Sequence, residues 1–303
     1  MYTQRFEPMS VGQIIDRAFR LYRSNFIRFV AIVAIIQVPI ALIQYAVSPT
    51  SVEYEQTDWQ SHGGEEFRFG FQSTQGAGVS VVVTLLFLVA QLLCMAALTK
   101  GVSESYLGNQ VTVGQAYKTV LPRLFTLILA VILLWLIFAG VGVIGMVAAF
   151  AIPVLGIIAW LCLMIFLAVR VLLTVQTLVV ERCGPYKSIK RSWALTARNF
   201  WRAFGLLLLL GLIIGVVMLL FFLVAGLVMR DARFLFTPGG SLTVWAINTA
   251  LQILLTPIGA CALILLYYDL RIRKEGFDLQ MLAQSLGSTV QEAPEHGVPP
   301  VQY

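Results

Sequence analysis

Charge is scarce in this 303-residue chain, and histidine is scarcer: Asp, Glu, Lys and Arg make up 12% of it, and His62 and His296 are the two histidines. Soluble domains carry about 25% charged residues, whereas here apolar residues reach 59%, which argues against a water-solvated globule. Of four cysteines, Cys94, Cys162 and Cys261 lie in apolar runs and Cys183 in a basic segment, with no CxxC pair. A disulfide framework and a thiolate metal site are therefore not expected. Two histidines in polar segments make a His-built metal centre equally unexpected. No Asp, Glu or His falls in the middle of an apolar run, which removes the usual intramembrane proton relay and cation-coordinating carboxylate. The opening MYTQRFEPMSVGQ lacks a short apolar h-region and a small-residue cleavage site, so the first apolar run is expected to act as the targeting signal.

What is there is a set of long apolar stretches, read as spans at about 26–47, 79–98, 124–147, 152–176, 203–228 and 242–267. Leu124 to Val169 holds 46 residues without a charge, about 69 Å as helix, twice the hydrocarbon thickness. It must be two helices, and the reversal is placed near Ala148 to Pro153. If all six stretches span, 18 of the 21 Lys and Arg residues share one side, leaving Arg68, Arg230 and Arg233 for the other. By the positive-inside rule that side is cytoplasmic and holds both termini. Net charge divides into +9 inside and −3 outside, which points to topology and contact with anionic lipid headgroups rather than nucleic acid. Residues 1–280 read as one polytopic domain and 281–303 as a disordered cytoplasmic tail.

Each pair of spans is preceded by a segment with its own helix-start signal. Ser10 to Gln13 and Thr112 to Gln115 are S/T-x-x-Q capping boxes, and Gly184-Pro185 presets a first helical turn. In the first segment Val11, Ile15, Ala18, Phe19, Tyr22 and Phe26 share a helical face. In the third, Ile189, Trp193, Ala197, Phe200 and Phe204 form an apolar stripe flanked by Lys187, Lys190, Arg191, Arg198 and Arg202. The expected fold is an all-α integral membrane protein: six transmembrane helices with three amphipathic cytoplasmic interfacial helices, in a pseudo-threefold repeat. Those helices read either as elbows that set topology or as a dock for lipid headgroups or a membrane or cytoplasmic protein partner.

Three stretches carry a family resemblance: SVGQIIDRAFRLYRSNFIRFV, then the central residues Glu181, Gly184, Pro185, Arg191, Ser192, Trp193, Asn199, Phe200, Trp201 and Arg202, and last Tyr267, Tyr268, Asp269, Arg271, Arg273, Glu275, Gly276, Phe277 and Asp278. They resemble the prokaryotic family named for the membrane domain of glycerophosphoryl diester phosphodiesterase. Some members of that family carry a soluble phosphodiesterase domain opening on His-Arg-Gly. No His-Arg-Gly occurs here, so the resemblance implies the membrane module alone, without catalysis.

Buried polarity is otherwise amides and hydroxyls: Gln37, Gln44, Thr84, Gln91, Asn248, Gln252 and Thr256, with Pro39 and Pro257 kinking spans one and six. They read as interhelical glue or as the lining of a substrate cavity. Arg170 is the one charge well inside an apolar run and must snorkel, pair with Glu104, Glu181 or Asp269, or hold a lipid phosphate. Candidate structural or lipid-contact residues are Arg170, Glu181, Arg191, Trp193, Trp201, Arg202, Asp269, Arg271 and Arg273; no catalytic, cofactor or metal site is expected. The function expected is a non-catalytic inner-membrane scaffold or lipid-interacting accessory protein. The alternative is a permease or lipid translocator with a cavity between spans one and six.

Overall fold

A computed structural model describes residues 9–47, 77–109, 112–228 and 238–275, all helices and short connections among them. Most of the segments between the first and second and between the fifth and sixth expected spans, and the tail, lie outside those residues. The helices are α1 (Val11–Ser24), α2 (Phe26–Val47), α3 (Ala77–Tyr106), α4 (Val113–Val120), α5 (Leu124–Ala151), α6 (Pro153–Val171), α7 (Thr174–Val180), α8 (Pro185–Thr196), α9 (Phe200–Val228) and α10 (Pro238–Glu275). A 3-10 turn, Leu121–Arg123, joins α4 to α5.

Six of these helices (α2, α3, α5, α6 continuing through α7, α9 and α10) are long and apolar enough to cross a membrane. Large apolar side chains point outward along them, among them Ile27, Phe125, Trp135, Phe150 and Leu155, each more than 60% exposed. Water would penalise such a surface heavily; lipid does not. The protein is a multi-pass membrane protein.

Helix ends follow the local chemistry. Both capping boxes form: Ser10 and Gln13 exchange side-chain and backbone bonds at the start of α1, and Thr112 and Gln115 do so at α4. Gly184 and Pro185 open α8 as the sequence indicates. The long apolar run breaks at Ile152, with Pro153 at the first position of α6, inside the expected reversal.

Three span boundaries need correction. The second span continues past Leu98 to Tyr106, and the sixth continues past Tyr267 to Glu275. In α10 the i,i+4 pairs Tyr267–Arg271, Asp269–Arg273 and Arg271–Glu275 hold the charged extension helical. The fourth span runs past Gln176 to Val180 with an interruption at Leu172 and Leu173, after which α7 restarts at Thr174.

The core gathers around the second half of α10. From Ile258 to Ile272 nearly every residue of that helix is buried, as suits a helix apolar on all sides. Against it lies α1, antiparallel: the Met9 N–H bonds Asp269 near one end and the Tyr22 hydroxyl bonds the Leu254 carbonyl near the other, about 22 Å apart along α10. Ile14, Ile15, Ala18 and Tyr22 face inward, while Asp16, Arg20 and Arg23 stay exposed. α1 is thus bundle structure over its whole length, more than an elbow. α2 joins α10 through a Gln37 to Gln252 side-chain bond of 3.2 Å and the contact of Tyr45 with Trp245, and it meets α3 at the close approach of Ile32 to Gly101.

α5 and α6 meet so closely that a Cβ on Gly145 would lie 1.8 Å from Trp160 Cδ1. Gly145→Ala must displace the Trp160 ring, and overpacking of that kind costs about 1–3 kcal/mol. The expected outcome is a lower midpoint of thermal unfolding in detergent for Gly145→Ala and none for Gly142→Ala, whose Cβ would meet open space. Equal midpoints for both variants would show that Trp160 moves aside freely.

Candidate functional site

The helix break at Leu172 and Leu173 frees backbone groups inside the bundle, and α8 supplies their partners. The Ser192 hydroxyl donates to the Arg170 carbonyl at 2.9 Å and accepts from the Leu173 N–H at 3.1 Å. Thr196 donates to the same carbonyl at 3.3 Å, and Thr177 of α7 donates to the Ser188 carbonyl at 3.1 Å. These bonds decide which face of α8 is inside. Ser188, Ser192, Leu195 and Thr196 are buried, while on the apolar stripe Ile189 is half-buried and Trp193 and Ala197 are exposed; Phe200 and Phe204 belong to α9. Ser192 belongs with the site residues; its position between Arg191 and Trp193 was visible, but its role depended on a helix break that no residue in the run announces.

Docking α8 beside α7 and α10 closes a ring of polar side chains. Glu181, at the end of α7, accepts from Arg191 Nε through both oxygens at 3.0 and 2.9 Å and from the Tyr267 hydroxyl at 2.9 Å. Arg191 Nη2 reaches Glu275, Glu275 accepts from Arg271 Nε at 3.2 Å, and Arg271 Nη1 returns to the Tyr267 oxygen at 3.3 Å. Tyr267, Arg271 and Glu275 can all join because four-residue spacing stacks them on one face of α10. Two carboxylates meet two guanidiniums, so the ring is neutral. Burial disfavours the Arg191 charge, but Glu181 and Glu275 outweigh it and hold this guanidinium above its ordinary value.

A second cluster centres on Asp269, which is fully buried. Its Oδ1 accepts the Met9 N–H at 2.7 Å, its Oδ2 lies 2.8 Å from Arg202 Nε, and Arg273 Nε approaches both oxygens at 3.3 and 3.2 Å. Arg273 Nη2 also donates to the Met9 carbonyl at 3.2 Å, so Asp269 and Arg273 together hold both polar groups of one backbone residue. Arg202 is thus paired through Nε, while its Nη2 stays buried without a hydrogen-bond partner.

Arg170 departs from the expected acid pairing. Glu181 and Asp269 are engaged as described, and Glu104 is held by Lys100 and by Asn109 at 2.8 Å. The Arg170 guanidinium lies instead against two rings, 4.8 Å from the Phe166 centroid and 5.2 Å from that of Trp193, with Nε and Nη1 buried and lacking a hydrogen-bond partner. Trp201, 78% exposed, touches Phe200 and Phe204 and joins none of the polar clusters. Among the described residues no three His, Cys, Asp or Glu side chains come together as metal ligands.

Two outcomes are expected. Asp269→Ala leaves Arg202 and Arg273 facing a buried gap, and breaking a buried pair from one side costs about 3–5 kcal/mol. The variant should lose yield or thermal stability, and Arg273→Ala should lose less because that side chain reaches solvent. Ser192→Ala strands one carbonyl and one N–H, worth about 1–3 kcal/mol, while Ser192→Thr keeps a hydroxyl. Unfolding midpoints in detergent check both, and indifference to Ser192→Ala would show that water reaches the helix break.

Residues 9–270 match the family described as Domain of unknown function (DUF7847). No curated protein and no solved structure matches the chain. The match carries no link to the membrane domain of glycerophosphoryl diester phosphodiesterase.

Proposed function

The chain belongs to the DUF7847 family, and we propose that it is a non-catalytic, lipid-interacting scaffold of the cytoplasmic membrane whose polar cluster faces the cytoplasm together with both termini. The observation that carries this reading is the polar end of the bundle. There α1, α3, α7, α8, the start of α9 and the end of α10 converge, and the carboxylates Glu104, Glu181, Asp269 and Glu275 are each engaged by cations. A carboxylate so engaged is held as a structural anion rather than poised as a general base or nucleophile. Around them stand cations in excess and outward aromatic rings, Tyr186, Trp193 and Trp201, the composition that anchors a protein at anionic headgroups.

In this reading α1, α4 and α8 are amphipathic helices, each leading a pair of spans, and together they make the threefold repeat. The resemblance to the phosphodiesterase-associated membrane module fits the same role, an accessory to lipid handling with a membrane or cytoplasmic protein as partner. A translocation path between α2 and α10 finds less support, because Gln37 bonds Gln252 across that boundary and Tyr45 packs on Trp245.

Orientation and lipid contact are tested separately. In cells carrying Ser61→Cys, an impermeant thiol reagent should label the protein from outside. A cytoplasmic reporter needs care, since burial, with Glu181 adding to it, pushes the Cys183 thiol above its ordinary value and its Sγ bonds the Thr177 carbonyl at 3.6 Å. Tyr186→Cys in a Cys183→Ser background is the better site, being 73% exposed, and should label only after lysis. Reversed labelling overturns the orientation. Protein extracted with native lipid should carry anionic phospholipid above its share of the whole membrane; an unenriched annulus overturns the lipid-interacting role.

A further inference from the structure

Where α8 ends and α9 begins, the last turn of α10 leaves an open cleft of about 450 Å³ lined by Arg198, Asn199, Arg273 and Lys274. Three cations and one amide line it, and no acid does. The nearby carboxylates are already engaged, Asp269 by Met9, Arg202 and Arg273, and Glu275 by Arg191 and Arg271. Two more cations stand behind the lining: Arg202 lies within electrostatic reach of Arg273, and Arg170 within reach of Lys274. Both carry buried N–H groups without an acceptor, Nε and Nη1 of Arg170 and Nη2 of Arg202, whose Nε pairs with Asp269. Like charges crowd together at a cost unless an anion joins them, and buried guanidinium donors need oxygen acceptors. The first turn of α9 adds its own N–H groups directly after Asn199.

We propose that this cleft binds a phosphate ester, and that the ester is the headgroup of an anionic phospholipid. A phosphate brings several acceptor oxygens and the charge to match forked guanidiniums. Its attachment to lipid follows from the walls. Phe166, Trp193 and Phe200 surround the Arg170 side of the site, Trp201 stands outward at the first turn of α9, and the apolar faces of α6 and α9 continue from there as a bed for acyl chains. The headgroup sits where its charge is matched and the chains remain in the bilayer. This rests on the lipid-interacting role proposed above and assigns it a defined site.

The test uses the full chain, delipidated in detergent and titrated with dioleoylphosphatidylglycerol or dioleoylphosphatidylcholine, with bound lipid counted by native mass spectrometry and unfolding midpoints recorded. One phosphatidylglycerol should bind at least tenfold more tightly than phosphatidylcholine and raise the midpoint. The double variant Arg198→Gln/Lys274→Gln should lose that preference tenfold or more, whereas Lys187→Gln/Lys190→Gln on the far part of α8 should keep it. If the double variant is too unstable to purify, Arg198→Gln alone, an exposed position, should weaken binding at least threefold. Inorganic phosphate or glycerol 3-phosphate that stabilises the wild type as well as the lipid does would put a water-soluble ester in the cleft and overturn the lipid assignment. Anionic preference that survives unchanged in these variants overturns the site but leaves the general lipid role intact. Its absence from the wild type overturns both.

Discussion

A carboxylate taken out of water must be surrounded by donors, and the packing of this bundle follows from how Asp269 meets that demand. It sits on α10 with no exposed surface and draws to itself the backbone of Met9, the guanidinium of Arg202 and that of Arg273. One side chain thereby ties the approach to α1, the first turn of α9 and the end of α10. Because Met9 is held by both its N–H and its carbonyl, the direction in which α1 departs is set, and α1 can run along α10 to Tyr22. Lipid supplies no hydrophobic drive between helices, so such polar ties and close packing carry the association.

The neutral ring beside it works differently. Glu181, Arg191, Glu275, Arg271 and Tyr267 satisfy one another in a closed circuit, which joins α7, α8 and α10 without leaving charge over. The clusters therefore divide the polar end into a part that holds the helices and a part with cations in excess. In that second part Arg170, packed against Phe166 and Trp193, and Arg202 keep buried donors without hydrogen-bond partners. Structural polar networks are normally complete, and these incomplete donors behind an open basic cleft are what the proposed phosphate site rests on.

α8 shows how a helix can bury its hydroxyl face and expose its tryptophan. By hydropathy Trp193 belongs inside and Ser192 outside. The interrupted fourth span reverses this, because a stranded carbonyl and N–H in the bundle need a hydroxyl more than the core needs an indole. Trp193 faces outward with the Arg170 guanidinium against its ring.

Much of the architecture was already legible in the residues. Long charge-free runs can only be spans, a run of 46 residues can only be two, and Ser10, Thr112 and Pro185 announce helix starts through local bonds that need no distant partner. Asp269, Arg271 and Arg273 stood together among the candidate residues, and the structure divides them, Asp269 with Arg273 and Arg271 with Glu275. What only the tertiary structure decided involves partners far apart in sequence: that Asp269 holds Met9, that Glu181 takes Arg191 and Tyr267 and so is closed to Arg170, and that α8 turns its serines inward. Capping and hydrophobic length are written within a few residues of where they act. Each charge in this chain had several possible opposites, and the choice among them was made by which helices the apolar packing brought together.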